Sequence, residues 1–400
     1  MDLLKHAASC LSFDRDKSRA ACREWAPLPE QAQRALLELA DRAGLSLYLW
    51  RAAQAAGVAD TLIHATEYRE RRRKNEIRLA VRRRMARELE AIFAGAGLRF
   101  AMLKGFFLAP DFVPDAADRL QNDIDFIFSA ADAQTAFEVL LRQGYTASAD
   151  EADGPAVHLP MLLPPDFIHP QGDGFDPATQ AAVELHHYLW RSEFECIPIS
   201  FDPDPLSRLG CRDGLPVLHP HDQLSSVALH AMRHVFRGSL RISHLYELAG
   251  FLETHACETA FWRGWINEVN EPLRRLTTVG LALAARLFHS PWPAELTNER
   301  QALPASARQW IERYGEVVLE VPRRDKLEVF LQLAFVPGWR ERLLVLRRRL
   351  APTQMPGRYG FQPLPFPQNL IRRGRLIGQR LFFHFVAFFK FLRTAVELWL

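Results

Sequence analysis

Residues 119–126 read RLQNDIDF, and two aspartates stand one residue apart in a run otherwise built like a buried strand, with Ile124 between them and Phe126, Ile127 and Phe128 after them. Successive side chains of a strand point to opposite faces, so Asp123 and Asp125 share one face while Ile124 points away. Two like charges side by side are unfavourable without a cation, and burying them costs several kcal/mol unless each is paired or bound to a metal. Taken alone, the pattern fits either a metal-binding pair or a strand end whose carboxylates cap a turn or meet Arg119.

The surrounding elements follow from periodicity. Through residue 97 the chain has helical spacing: LPEQAQRALLELADRAG and LSLYLWRAAQAAG each close on a glycine, Gly44 and Gly57. A long helix, TEYRERRRKNEIRLAVRRRMARELEAIFAGAG, comes next. Its apolar stripe is expected at Ile77, Leu79, Val81, Met85, Leu89 and Ile92, with Arg71, Arg72, Arg73, Arg82, Arg83 and Arg84 on solvated flanks. From residue 98 the period changes. LRFAMLKG reads as a strand ending at Gly105, DIDFIF as a second, DAQTAFEVLLRQGY as a helix and AAVELHHYLW as a third strand carrying Glu184. The expected class is α+β, a small mixed-sheet core in a largely helical protein. Four regions are expected: a helical subdomain at 1–97, the α/β core at 98–200, a helical domain at 201–335 and a basic, proline-punctuated region at 336–400.

Composition narrows the functions. With 400 residues and 48% hydrophobic content the chain can bury a sizeable core. Fifty basic against 47 acidic residues leave a net charge of +3, which does not mark a nucleic-acid binder. Cys10, Cys22, Cys196, Cys211 and Cys257 have no CxxC spacing, so neither a disulfide framework nor a cysteine zinc site is expected, and a reducing cytoplasm fits best. The opening MDLLKHAASCLSFDRDKSR holds no apolar stretch long enough for a secretion signal.

Asp123, Asp125 and Glu184 all interrupt apolar, strand-like segments. Hard divalent ions such as Mg²⁺ or Mn²⁺ take oxygen ligands and leave positions for water and substrate phosphates, which suits such a cluster. Two metals about 3.5–4 Å apart would be bridged by Asp123 and Asp125. His186 follows Glu184 by two residues and shares its face, where it would bind phosphate or steady the carboxylate; His187 points the other way and packs. His230 and His234 have the i, i+4 spacing of a zinc pair, but no glutamate follows His230 and no third ligand stands out. Hydrogen bonding to a neighbouring loop is the alternative for both.

The runs LKGFFLAPDF, RLQNDIDFIF, AFEVLLRQGY and VELHHYLW together resemble a group of bacterial, largely uncharacterised nucleotidyltransferase-like proteins of the DNA polymerase β superfamily. The motifs are Leu103-Lys104-Gly105, Arg119-x-x-x-Asp123-x-Asp125, Gly144-Tyr145 and Glu184-Leu185-His186. HDQLSSVALHAMRH and LRISHLYELAGFL extend the resemblance, which covers roughly residues 30–255. It implies that a nucleoside monophosphate passes from an NTP to a hydroxyl or phosphate of a small molecule, sugar or protein, with pyrophosphate leaving. In that scheme Asp123 and Asp125 hold the catalytic Mg²⁺ or Mn²⁺, and Glu184 touches one metal and takes a proton from the attacking hydroxyl. Lys104 and Gly105 stand where the wider superfamily has a Gly-Ser turn around the triphosphate; the serine is absent and the lysine supplies charge. Arg119 would contact phosphate or orient the aspartates, and His230, His234, Arg241 and Glu247 would line the opposite cleft wall. A non-catalytic descendant that binds a nucleotide or partner protein is the alternative, but the retention of three carboxylates favours the enzyme. Nucleic acid is not expected as the acceptor.

The C-terminal third carries a separate signal. After a proline-rich linker, residues 372–400 mix phenylalanines and leucines with Arg372, Arg373, Arg375, Arg380, Lys390 and Arg393. The longest stretch free of Lys and Arg, LFFHFVAFF, is too short to span a bilayer. A basic, aromatic-rich helix of this kind lies peripherally in a membrane interface or packs as a final helix on the body.

Overall fold

A computed structural model describes residues 2–148, 157–168, 173–319 and 326–350, together with 393, 394, 396 and 397. The chain forms two units: Met1–Arg191, Ile199–Met232 and Leu240–Ala302 make the first, and Ser192–Pro198, Arg233–Ser239 and Leu303–Leu400 the second.

In the first unit, α1 (Leu3–Cys10) and α2 (Arg15–Trp25) begin where Asp2 and Asp14 accept backbone N–H bonds, and α3 (Glu30–Ala43) stops at Gly44 in the left-handed region, φ 71°. α4 (Ser46–Ala55) leads to the 31-residue α5 (Ala65–Gly95), with Trp50 stacked on Tyr68 at 5.6 Å. The buried face of α5 runs through Asn75, Arg78, Arg82, Ala86, Leu89 and Phe93, at spacings of three and four.

Two expectations fail there: Arg82 is buried rather than solvated, and Ile77 is 41% exposed. The reason is what the helix packs against. Its second half meets an apolar sheet, but its first half meets loops that present carbonyl oxygens. Arg78 donates to the carbonyls of Gly174 and Gln121 and to the Asn122 side chain, while Arg82 donates to the Arg78 and Thr179 carbonyls. A long side chain with five donors satisfies such a surface where an aliphatic one would leave acceptors unpaired.

The described strands form one mixed sheet of order β3-β4-β5-β2-β1-β7-β6. They are β1 (Phe100–Leu103), β2 (Asp123–Phe128), β3 (Thr146–Ala147), β4 (Leu162–Leu163), β5 (Ala182–His186), β6 (Gly210–Arg212) and β7 (Leu215–Val217). β2 runs antiparallel to β1 and parallel to β5. Strand alternation sorts the residues by face. Phe100, Met102, Ile124, Phe126, Phe128, Val183 and Leu185 pack with α5 and with α6 (Ala130–Arg142), and Phe93 meets the rings of Phe100, Phe126 and Phe128 edge-on at 5.1–5.4 Å. The opposite face holds Ala101, Leu103 and Ile127 against Leu206 and Leu218. The protein is thus α+β, with a mixed-sheet core in a largely helical chain.

Beyond the sheet, α8 (Pro220–Arg237) contributes to both units, and α9 (Ser243–His255), α10 (Thr259–Glu268), α11 (Glu271–Phe288) and α12 (Thr297–Gln301) complete the first. The second unit contains α7 (Ser192–Glu195), α13 (Ala305–Tyr314), α14 (Glu328–Leu333) and α15 (Trp339–Leu350). Its fully buried Glu195 accepts from Arg237 at 2.8 Å and Arg349 at 3.1 Å. Most of the basic segment 372–400 lies outside the described residues. Within them, Glu397 accepts from Arg393 and from the Tyr314 hydroxyl of α13. Among the described residues no helix is long and apolar enough to cross a membrane.

Candidate active site

The site lies on the face of β2 and β5 turned away from α5 and α6. Parallel register pairs Asp125 with Glu184 and Ile127 with His186, so these side chains share a face with Asp123, two residues earlier. Ligand atoms of Asp125, Glu184 and His186 lie within 4.8 Å of one another. His186 Nε2 is 3.0 Å from Asp125 Oδ1 and 3.2 Å from Glu184 Oε2, so one N–H is shared between two carboxylates. Lys104 Nζ reaches Asp125 Oδ1 at 3.1 Å.

Asp123 stands apart from that trio. It is half-buried, and among the described residues its carboxylate accepts no hydrogen bond. Burial, then the charges of Asp125 and Glu184, push it up to about 6, against the pull of Lys104 and Arg119. Asp125 moves the other way: burial opposes its ionisation, but Lys104 and His186 outweigh that and hold it well below the ordinary range. His186 is raised, since its bonds to Asp125 and Glu184 overcome the cost of burial. The two aspartates of β2 are therefore shifted in opposite directions.

The turn after β1 sets Lys104. Lys104 adopts φ 42° and Gly105 φ 66°, both in the region L-residues avoid. A Cβ at Gly105 would collide with the Gln121 amide, which donates to the Asp123 carbonyl at 2.6 Å and fixes the start of β2. The strained turn aims Lys104 at Asp125, with His230 Nδ1 3.4 Å from the ammonium.

The remaining expected residues fall in different places. Arg119 lies mostly buried, its Nε 2.8 Å from Glu247 Oε1, which also accepts from the Tyr48 hydroxyl at 3.2 Å. Arg241 is exposed and lines, with Arg119 and Glu247, a pocket of about 180 Å³. His230 packs edge-on against His244 at 4.7 Å. His234 belongs to the second unit, where its Nδ1 meets the Ser239 hydroxyl at 3.1 Å. No metal-holding group among the described residues contains His230 or His234, so the spacing of a zinc pair is not completed; each ring is engaged by a local neighbour.

Two contributors lie outside the motifs read from the sequence. His158 pairs with His186 through an isolated backbone bridge, and its Nε2 is 3.8 Å from Glu184 Oε2. Asn75 donates from its side chain to the carbonyls of Ala117 and Arg119, and with Arg78 ties the loop before β2 to α5. A polar run along the buried stripe of a helix was the only available hint. A second group, His219, His221 and Glu268, also offers converging ligand atoms, but Arg208 bridges Glu268 to Asp222 and His221 bonds Glu268 at 3.0 Å, which makes it an ion-pair network.

The donor set fits a hard divalent cation: two carboxylates in register, a third on the same face that accepts no hydrogen bond among the described residues, and an imidazole beside them. A model of a family described as uncharacterised nucleotidyltransferase matches residues 29–289. No curated protein and no solved structure matches the chain. The matched span is well over half of the 400 residues and contains the whole carboxylate cluster with its cationic surround, and the chain belongs to this uncharacterised nucleotidyltransferase family.

Proposed function

We propose that the chain is a divalent-metal-dependent nucleotidyltransferase that moves a nucleoside monophosphate from an NTP to a hydroxyl or phosphate of a small molecule, sugar or protein. The observation that carries the reading is the in-register pairing of Asp125 with Glu184 across parallel strands, with Asp123 on the same face. Surrounding groups neutralise Asp125 through Lys104 and His186, but Asp123, at the start of β2, keeps a carboxylate that burial and the neighbouring carboxylates destabilise more than Lys104 and Arg119 stabilise. That residual charge is what a cation would relieve.

Mg²⁺ or Mn²⁺ held by Asp123, Asp125 and Glu184 would neutralise phosphate charge developing in the transition state. The chain's own groups do the rest. His186 holds Asp125 and Glu184 in fixed orientation through one shared N–H. Glu184, 19% exposed, would accept a proton from an attacking hydroxyl. Lys104, whose ammonium lies 3.1 Å from Asp125, would supply positive charge to a phosphate, and Gly105 would let the backbone approach closely. Arg119, held by Glu247 at 2.8 Å, adds positive charge near Asp123 from the pocket side.

Incubating the protein with each α-labelled NTP and Mg²⁺ or Mn²⁺ tests the reading. Label should pass to the protein itself or to a component of a cell extract, and Asp123→Asn should abolish it. If NTP binds but neither label transfer nor pyrophosphate release occurs with any base, the chain is the non-catalytic nucleotide-binding descendant instead.

A further inference from the structure

We infer that the pocket beside the carboxylate cluster is an anion subsite for the acceptor, and that the acceptor is therefore a phosphorylated small molecule. The inference rests on the nucleotidyl-transfer reading and names its second substrate by class.

The pocket's charges do not cancel. Of its two carboxylates, Asp41 is 2.9 Å from Arg71 and Glu247 is 2.8 Å from Arg119. Arg42 and Arg241 line the same pocket, and among the described residues their guanidinium groups make no hydrogen bond or ion pair. Two arginines without a counter-charge among the described residues lining one cavity favour an anion, and the planar fork of a guanidinium matches phosphate oxygens in pairs. α9 starts in this wall at Ser243 without a side-chain cap, and the positive end of its dipole adds to the same potential. Gly44 keeps the cavity open, because a Cβ there would stand 2.8 Å from the Ser243 hydroxyl.

Size and connection separate acceptor from nucleotide. At about 180 Å³ the pocket is well below the ~300–1,000 Å³ of sites that enclose a drug-sized ligand, so it suits a phosphate-bearing fragment better than a whole nucleotide. Two residues of its wall nevertheless act on groups of the reacting face. Arg119, in its wall, acts by charge on Asp123, and His244, also in its wall, packs on the His230 ring that neighbours Lys104. A phosphate held by Arg42 and Arg241 would anchor a molecule whose other end extends toward the carboxylates.

The test measures binding to the full chain by calorimetry, using inorganic phosphate and, separately, a non-hydrolysable α,β-methylene NTP with Mg²⁺. The proteins are wild type, Arg42→Gln/Arg241→Gln and Asp123→Asn; both arginines are exposed, and Arg241→Lys serves as a second variant that keeps charge but loses the fork. Inorganic phosphate should bind wild type and Asp123→Asn alike and bind the double variant about tenfold or more weakly, as loss of charge-assisted bonds predicts, with Arg241→Lys between them. The NTP analogue should bind the double variant as it binds wild type, and Asp123→Asn should lose it. Equal phosphate affinity in all proteins overturns the subsite. Parallel loss of the analogue in the double variant assigns the pocket to the nucleotide's own phosphates and overturns the acceptor inference. Retention of the analogue by Asp123→Asn, with phosphate behaving as expected, instead refutes the nucleotidyl-transfer reading on which the acceptor assignment depends.

Discussion

Replacing Asp123 by Asn should stabilise the metal-free protein, and do so more at high pH than at low. Asp123 is pushed from 3.8 to about 6, so the folded state binds the proton more tightly than the unfolded state. Stability contributed by the protonated form is then lost as pH rises from the unfolded value through the folded one. At 1.36 kcal/mol per pKa unit, the ionised carboxylate destabilises the fold by about 3 kcal/mol at pH 8, about 1 kcal/mol at pH 4.5 and almost nothing at pH 3. Asparagine keeps the shape, removes the charge and forfeits no hydrogen bond, because the carboxylate accepts none among the described residues. Urea unfolding in a chelator at the three pH values should show a gain for the variant that grows by about 2 kcal/mol between pH 4.5 and pH 8. Saturating Mn²⁺ should raise wild-type stability and leave the variant nearly unchanged, since a ligand that binds only the folded state stabilises by mass action. A loss of stability at pH 8 without metal, or a gain that does not vary with pH, would refute the electrostatic account of Asp123.

The neighbouring aspartate should respond with the opposite sign: Asp125→Asn leaves Lys104 and His186 buried without their shared carboxylate and should cost about 3–5 kcal/mol in the same denaturation assay. Gly105→Ala should cost at least about 1–3 kcal/mol, because alanine must adopt φ 66° and displace Gln121, and thermal melts would register it; an unchanged melt contradicts the turn. Arg78→Met should lose about 3 kcal/mol or more by leaving the Gln121 and Gly174 carbonyls without donors, whereas a solvated arginine would give a change within about 0.5 kcal/mol. If residues 372–400 associate with membranes, full-length protein should sediment with anionic liposomes at low salt and a 1–371 chain should not; equal recovery of both in the supernatant removes that reading.

Much of the sheet was legible because alternation is a local property. Asp123, Ile124, Asp125 and Phe126 announce their faces through sequence alone, and the register with β5 follows the same parity, so Glu184 and His186 fall beside Asp125. The short strands were not legible: β3 and β4 have two residues each and β6 and β7 three, too few for any period to show. Arg82 misled because charge is read as exposure, and Arg78 was not assigned to either face. Arg78 and Arg82 occupy the stripe that Leu89 and Phe93 continue, and only the packed loops reveal the carbonyls that make this favourable. Lys104 could be read as a phosphate ligand from its glycine neighbour, but its ion pair with Asp125 depends on a backbone turn in an avoided region, which no spacing rule encodes. His158 lies outside any motif and joins the site through a single bridge to His186.

The most direct measurement is the anomalous scattering of Mn²⁺ in crystals grown with a non-hydrolysable NTP analogue. The account predicts a manganese peak shared by the carboxylates of Asp123, Asp125 and Glu184, with the Lys104 ammonium moved from Asp125 to a phosphate oxygen. Absence of manganese from those carboxylates at saturating ion and analogue, with Lys104 still paired to Asp125, would contradict it.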